Sequence, residues 1–207
     1  MKEDQDYIRD ISEMRSMMER TTKFMSLSGL SGIMAGIYAL AGAFIAHNIF
    51  EFRPGAANDN RELPGFSLDL WRIIFLALAV LGLSLVTAML LSRRKADKSG
   101  EKLWNASARR LVINMAVPLT TGGLLILIMI AKGLITFVAP FTLIFYGLAL
   151  YNASKFTYEE MRSLGLIQIA LGLTSCFLPE YGLWFWATGF GLIHIIYGIY
   201  MHYRYER

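Results

Sequence analysis

The sequence predicts an all-α polytopic membrane protein with six transmembrane helices, and three observations carry that expectation. Hydrophobic residues make up 55% of the 207-residue chain, and only 17% are charged. Six apolar runs recur along it, separated by short polar or basic segments. A bilayer core of about 30 Å requires roughly 20 apolar residues per helical span, so six spans leave little chain for a soluble domain.

The first 23 residues read as an amphipathic helix lying before the membrane domain. Tyr7, Ile8, Ile11, Met14 and Met18 form an apolar stripe at spacings of three and four, while Asp6, Asp10 and Glu13 occupy another face. Six acids in this segment argue against a cleaved signal peptide. Its net charge of −1 gives weak attraction to anionic lipid, whereas the segment Arg93 to Arg110 carries +5. The helix is expected to dock on that basic segment or on a partner.

The membrane domain runs over 24–203, with spans at 24–49, 70–91, 111–131, 134–151, 164–178 and 183–200, followed by a tail at 204–207. Lys132-Gly133 and Pro179-Glu180-Tyr181 supply turns that divide the last four runs into hairpins. Between the first two runs lies the longest connector, Glu51 to Asp69, in which Arg53-Pro54-Gly55 and Leu63-Pro64-Gly65 favour turns. It reads as a solvated connector, with a gate or a partner epitope as the alternative.

Lys and Arg are retained on the cytoplasmic side of a membrane. Sixteen of the twenty fall before the first run, between the second and third, after the fourth and after the sixth. This places both termini in the cytoplasm. The four tryptophans, Trp71, Trp104, Trp184 and Trp186, fall near span ends, where amphipathic rings favour the headgroup region. The pI near 9.2 therefore reads as a topology signal, and no nucleic-acid partner is expected. A single cysteine, Cys176, offers no second thiol.

A glycine-centred pattern recurs inside the spans. Gly29-Leu30-x-x-Ile33-x-x-Gly36, Gly165-Leu166-x-x-Ile169-x-x-Gly172 and Gly191-Leu192-x-x-Ile195-x-x-Gly198 are in register, and Ile144-x-x-Gly147 keeps the second half. Helix 2 retains only Gly82-Leu83. With Gly32, these glycines are the expected helix-packing residues, because small side chains let backbones approach where lipid supplies no hydrophobic drive. Three similarly oriented Gly-rich hairpins in a pseudo-threefold arrangement about the membrane normal follow, unlike the inverted repeats of many transporters.

The stretch from Gly165 through Pro179 to Gly198, a Gly-rich helix, a proline turn and a second Gly-rich helix, resembles the hairpin of the HdeD-type acid-resistance membrane proteins. That resemblance implies six helices in a bacterial inner membrane and a role in acid or envelope stress. The beginning, Met14 to Arg20 and Ser28-Gly29-Leu30-Ser31-Gly32, is similar to uncharacterised membrane proteins of Bacteroidota-type bacteria. Neither resemblance supplies a catalytic residue.

Ionisable groups deep in a bilayer are functional candidates by default, and His194 is the one this chain offers. Gln168 fills the equivalent slot of helix 5, so a Gln168–His194 hydrogen bond locking the last hairpin is expected; a solute or proton path lined by the two is the alternative. Tyr146 and Tyr197 complete the candidate intramembrane polar site. His47, His194 and His202 are too dispersed to share an ion, and no metal, haem or other cofactor is expected. No carboxylate pair lies within the spans, and Ser28-Gly29-Leu30-Ser31-Gly32 lacks the Gly-x-Ser-x-Gly spacing of a hydrolase nucleophile. Leu103-Trp104-Asn105-Ala106-Ser107 and Leu150-Tyr151-Asn152-Ala153-Ser154 repeat an aromatic anchor followed by a helix cap, or else a paired recognition site. The expectation is a non-enzymatic membrane protein, in stress tolerance or support of a membrane complex, with the lipid bilayer and a homo-oligomer or membrane-protein partner around it. The alternative is a channel or transporter for a small neutral solute.

Overall fold

The computed structural model describes residues 28–52, 68–98, 100 and 104–206. The expected helix over 1–23 and most of the Glu51 to Asp69 connector lie outside the described residues. Every regular element among those described is helical. They are α1 (Gly29–Asn48), α2 (Leu68–Lys98), α3 (Ala106–Ala131), α4 (Val138–Ala153) and α5 (Glu160–Phe177). The sixth rod is composite: α6 (Gly182–Trp186), a π-helical segment (Ala187–Ile193) and α7 (His194–Tyr205).

Among the described residues, five stretches are long and apolar enough to cross a membrane: Gly29–Asn48, Leu70–Lys98, Ala106–Ala131, Ile135–Phe156 and Pro179–Tyr205. This is consistent with a multi-pass membrane protein. The fifth expected span, 164–178, lies within α5, which is less apolar because its 18 residues include Glu160, Arg162 and Gln168. Two boundaries also shift. α2 runs on through Arg93 and Arg94 to Lys98, since long basic side chains are good helix formers and can extend into water. Asn105 caps α3 by accepting the Ala108 N–H at 2.8 Å, but Asn152 lies inside α4, whose chain passes directly into a 3-10 turn at Ser154–Phe156. Only one of the two repeated pentapeptides is therefore a cap.

Two antiparallel pairs hold the bundle, and both are built from the repeated glycines. Across α4 and α5, a methyl group on Gly147 would lie 2.6 Å from the Gly165 carbonyl oxygen, and one on Gly172 would lie 2.8 Å from that of Pro140. Across α1 and the sixth rod, Gly36 meets the Gly191 carbonyl and Gly198 meets that of Gly29, each at 2.6 Å on the same measure. Ile169, Ile144, Ile195 and Ile33 fill the spaces beside these contacts. Such separations admit hydrogen and nothing larger. Gly32 lies against Gly198 in the same seam. Thus the glycines expected to pack do so, but helix 5 is clasped to α4 and the sixth rod to α1, not to each other.

α2 and α3 are peripheral. α2 reaches α1 through Gly42 against Val80 and through Tyr38 and Thr87, whose hydroxyls are 3.3 Å apart. Gly122 of α3 receives the ring of Phe145. Their other faces expose large apolar side chains such as Phe75, Met89, Val117 and Leu124, as lipid-facing surfaces do.

One end of the bundle is tied by Glu206. Its Oε1 accepts the Gly29 N–H at 2.8 Å, at the N-terminus of α1 where unpaired amides favour an anion. The same oxygen pairs with Lys95 of α2 at 3.1 Å, and Oε2 accepts from His202 Nδ1 at 2.6 Å. Burial pushes the Glu206 carboxyl up, yet the bonds from His202, Gly29 and Lys95, with the Lys95 charge, outweigh it and hold the group below its ordinary value.

Two outcomes follow from this packing. Gly198→Val should destabilise the detergent-solubilised protein by about 1–3 kcal/mol or more, the usual cost of overpacking, read as a lower thermal midpoint, while Gly82→Val, where no neighbour lies within 4 Å among the described residues, should leave it unchanged. Because folding lowers the Glu206 pKa, its contribution is complete above the ordinary carboxylate value and is lost as pH falls through the depressed one. The wild-type thermal midpoint should therefore drop in that acid range more steeply than that of Glu206→Gln.

Candidate functional site

The polar site forms where the α4/α5 pair meets the sixth rod. His194 begins α7 directly after the π segment and is buried. Its Nδ1 lies 2.8 Å from the Gly189 carbonyl oxygen, and its Nε2 lies 2.9 Å from the Tyr146 hydroxyl. A carbonyl only accepts, so Nδ1 carries the hydrogen and Nε2 accepts from Tyr146. The neutral ring is satisfied on both nitrogens. Phe190 and Tyr146 pack together beside it, with ring centroids 5.8 and 5.5 Å from the imidazole and 5.0 Å from each other.

Gln168, fully buried, donates from Nε2 to the same Gly189 carbonyl at 2.8 Å. Its amide nitrogen is 3.4 Å from His194 Nδ1, but both atoms are donors. The expected Gln168–His194 hydrogen bond is thus replaced by two donors converging on one backbone oxygen. The π segment makes this geometry available, since a wider turn disturbs the regular i to i−4 ladder and turns carbonyls toward side chains. A methyl at Gly189 would lie 2.5 Å from both Gln168 Oε1 and Leu143 Cδ2, so the ends of these two side chains would have to move.

Among the described residues, four buried side-chain oxygens have no hydrogen-bond partner: Glu160 Oε2, Gln168 Oε1, Ser175 Oγ and Tyr197 Oη. All four belong to the seam between α5 and the sixth rod. Glu160, Gln168 and Ser175 are eight and seven residues apart, so they share one face of α5. Tyr197 is one turn beyond His194 on α7, with Glu160 and Tyr146 among its electrostatic neighbours. Left dry, each such atom costs about 1–3 kcal/mol, and four would approach the whole stability of a domain.

At the Glu206 end, the seam closes on Glu160, whose Oε1 accepts from the Tyr205 hydroxyl at 2.6 Å and pairs with Arg204 Nε at 3.4 Å. The Tyr158 and Tyr205 rings pack above it at 4.4 Å, and Lys95 donates to Tyr158 at 3.2 Å. At the other end, Ser175 lies beside Gly182.

The structure brings Gln168, His194 and Tyr146 together as expected and sets Tyr197 one turn away. Gly189, Phe190, Glu160 and Ser175 join them without having been singled out. The even spacing of Glu160, Gln168 and Ser175 was a readable signal; the acceptance of side-chain donors by a backbone carbonyl was not. His47 instead packs against Trp184 with the rings tilted and their centroids 5.6 Å apart, at the end of α1 opposite Gly29. No cluster of three or more His, Cys, Asp or Glu placed to hold a metal is present among the described residues. No protein-family model, curated protein or solved structure matches the chain.

Replacing Tyr146 with Phe removes the donor to Nε2 and leaves a buried acceptor unmade, at a cost of about 1–3 kcal/mol. The thermal midpoint of Tyr146→Phe should fall accordingly. In His194→Phe, which removes both ring nitrogens, a second change at Tyr146 to Phe should add little, so that a double-mutant cycle reads the coupling directly.

Proposed function

We propose that the chain is a non-enzymatic integral membrane protein of a bacterial inner membrane that supports envelope or acid-stress tolerance, alone or by holding a membrane complex together. The observation that carries this reading is the satisfaction of His194 on both nitrogens by Tyr146 and Gly189. A ring so held lends no free lone pair to a metal and no free base to a nucleophile. The distribution of Lys and Arg supports cytoplasmic termini, which makes the Glu206 and Glu160 end the cytoplasmic one. A carboxylate tie that loosens in acid on that side fits a protein answering to acid stress, as does the resemblance of helices 5 and 6 to HdeD-type proteins.

The architecture belongs to the same proposal. Three hairpins, α1 with α2, α3 with α4, and α5 with the sixth rod, make a pseudo-threefold bundle with three seams between neighbouring hairpins. Two of these carry the glycine clasp, α4 to α5 and the sixth rod to α1. The third falls between α2, which keeps only Gly82-Leu83, and α3, and Gly82 has no neighbour within 4 Å among the described residues. The exposed faces of these two helices meet lipid, a second copy or a membrane-protein partner.

A second reading, a channel or transporter for a small neutral solute, is favoured by the four unpartnered oxygens in the seam. The stress role is tested by removing the protein from its host and challenging cells with acid and with detergent. Survival should fall and be restored by the wild-type chain but not by Gly198→Val; unchanged survival would sink the stress role.

A further inference from the structure

We propose that the seam between the α4/α5 pair and the sixth rod is a hydrated proton path, entered at Glu160 and passing Tyr197 and the Tyr146–His194 pair toward Gln168 and Ser175. The proposal starts from the polar seam of the second reading and replaces its solute with the proton.

Three observations converge. The unpartnered buried oxygens all lie on this seam, and two of the residues, Gln168 and Ser175, are fully buried. Fifteen residues of α5 separate Glu160 from Ser175, about 22 Å of a bilayer core of about 30 Å. The seam is also narrow. Gln168 and Leu143 lie close against Gly189, and the Phe190, Tyr146 and His194 rings pack in a triangle with centroids 5.0–5.8 Å apart. A solute with a carbon skeleton does not fit between these contacts, whereas single water molecules joined by hydrogen bonds need little more than one probe sphere each.

The polarity of the groups suits a donor-rich guest. Glu160 Oε2 and Gln168 Oε1 are acceptors only, and the Ser175 and Tyr197 hydroxyls both donate and accept. Water satisfies all four, and a carboxylate at the mouth draws protons from the cytoplasm. The groups facing His194 are Tyr146 from α4, Gln168 from α5, and Gly189 and Phe190 from its own rod.

The transfer balances atom by atom. A proton taken up at Glu160 passes to water and on past the Tyr197 hydroxyl; each hydroxyl or water oxygen along the chain accepts one proton and gives up another to the next, as far as the water at Gln168 Oε1 and out past Ser175. His194 keeps its Nδ1–H on the Gly189 carbonyl and accepts from Tyr146 throughout, so it holds the Tyr146 hydroxyl in place and does not itself change protonation. Reorientation of the hydroxyls and waters then returns every residue to its starting state, with one proton moved across.

The test uses the full chain in sealed liposomes of bacterial phospholipid, with a pH dye inside and valinomycin with potassium to carry the counter-charge. An imposed pH gradient should collapse faster than in protein-free vesicles, and Tyr197→Phe should return the rate toward the protein-free one. Tyr197→Phe deletes a hydroxyl that has no protein partner, so it stays folded, as its elution profile will show. Gln168→Leu should behave likewise. Swelling of the same vesicles in urea and in glycerol separates the readings. Proton flux without solute entry supports the path; solute entry at the wild-type seam keeps the solute reading and overturns this one. Gradients as long-lived as in empty vesicles overturn the proton path, and if solutes are also excluded, both readings fall. Wild-type flux in Tyr197→Phe and Gln168→Leu overturns the route through the seam.

Discussion

Close approach of helix backbones across glycine is the constraint on which this bundle depends. Inside a lipid phase, apolar side chains gain little by meeting each other instead of lipid, so helices associate through shape. Gly147 against Gly165 and Gly198 against Gly29 bring main chains to separations at which dispersion and weak Cα–H···O contacts accumulate along the seam. The isoleucines beside them fill the space that the missing side chains leave. Because both members of each pair contribute the same pattern, glycine and isoleucine alternate on the two sides of the contact. α2 and α3 lack this device along most of their length, and they stand at the periphery with broad apolar faces exposed.

The second constraint is the one the clasps create between them. Once α4 is held to α5 and α1 to the sixth rod, the junction of the two pairs is made by larger and more polar side chains. There the sixth rod changes to π geometry over Ala187–Ile193, and the Gly189 carbonyl takes donors from His194 and Gln168. One backbone oxygen thus fixes the tautomer of the histidine, and through it the direction of the Tyr146 hydroxyl. The aromatic contacts of Phe190 with Tyr146 and Trp186 pack around the same turn. Gly189 leaves room for the ends of the Gln168 and Leu143 side chains, although it lies outside the repeated pattern.

At the end carrying Glu206, charge replaces shape. Gly29, Lys95 and His202 come from three separate helices and converge on one carboxylate. Glu160, on α5, collects Tyr205 and Arg204, the two residues that precede Glu206. These ties close the bundle where the spans reach water, and there electrostatics respond to pH as they do not among the glycines.

The membrane character, the positions of the spans and the glycines that pack were determined by the sequence itself, because length, apolarity and small-residue spacing act locally and leave a periodic trace. Gln168, His194 and Tyr146 were legible for the same reason: a polar residue amid an apolar run stands out. Which helices those glycines join was decided only in three dimensions, since a pattern shared by four helices permits several pairings and only shape complementarity chooses among them. The same holds for the π turn, the two donors on Gly189, the gathering of Glu160 and Ser175 into one seam with Tyr197, and the convergence on Glu206. Each depends on groups brought together from distant parts of the chain, or on a backbone atom that every residue possesses and no sequence pattern marks.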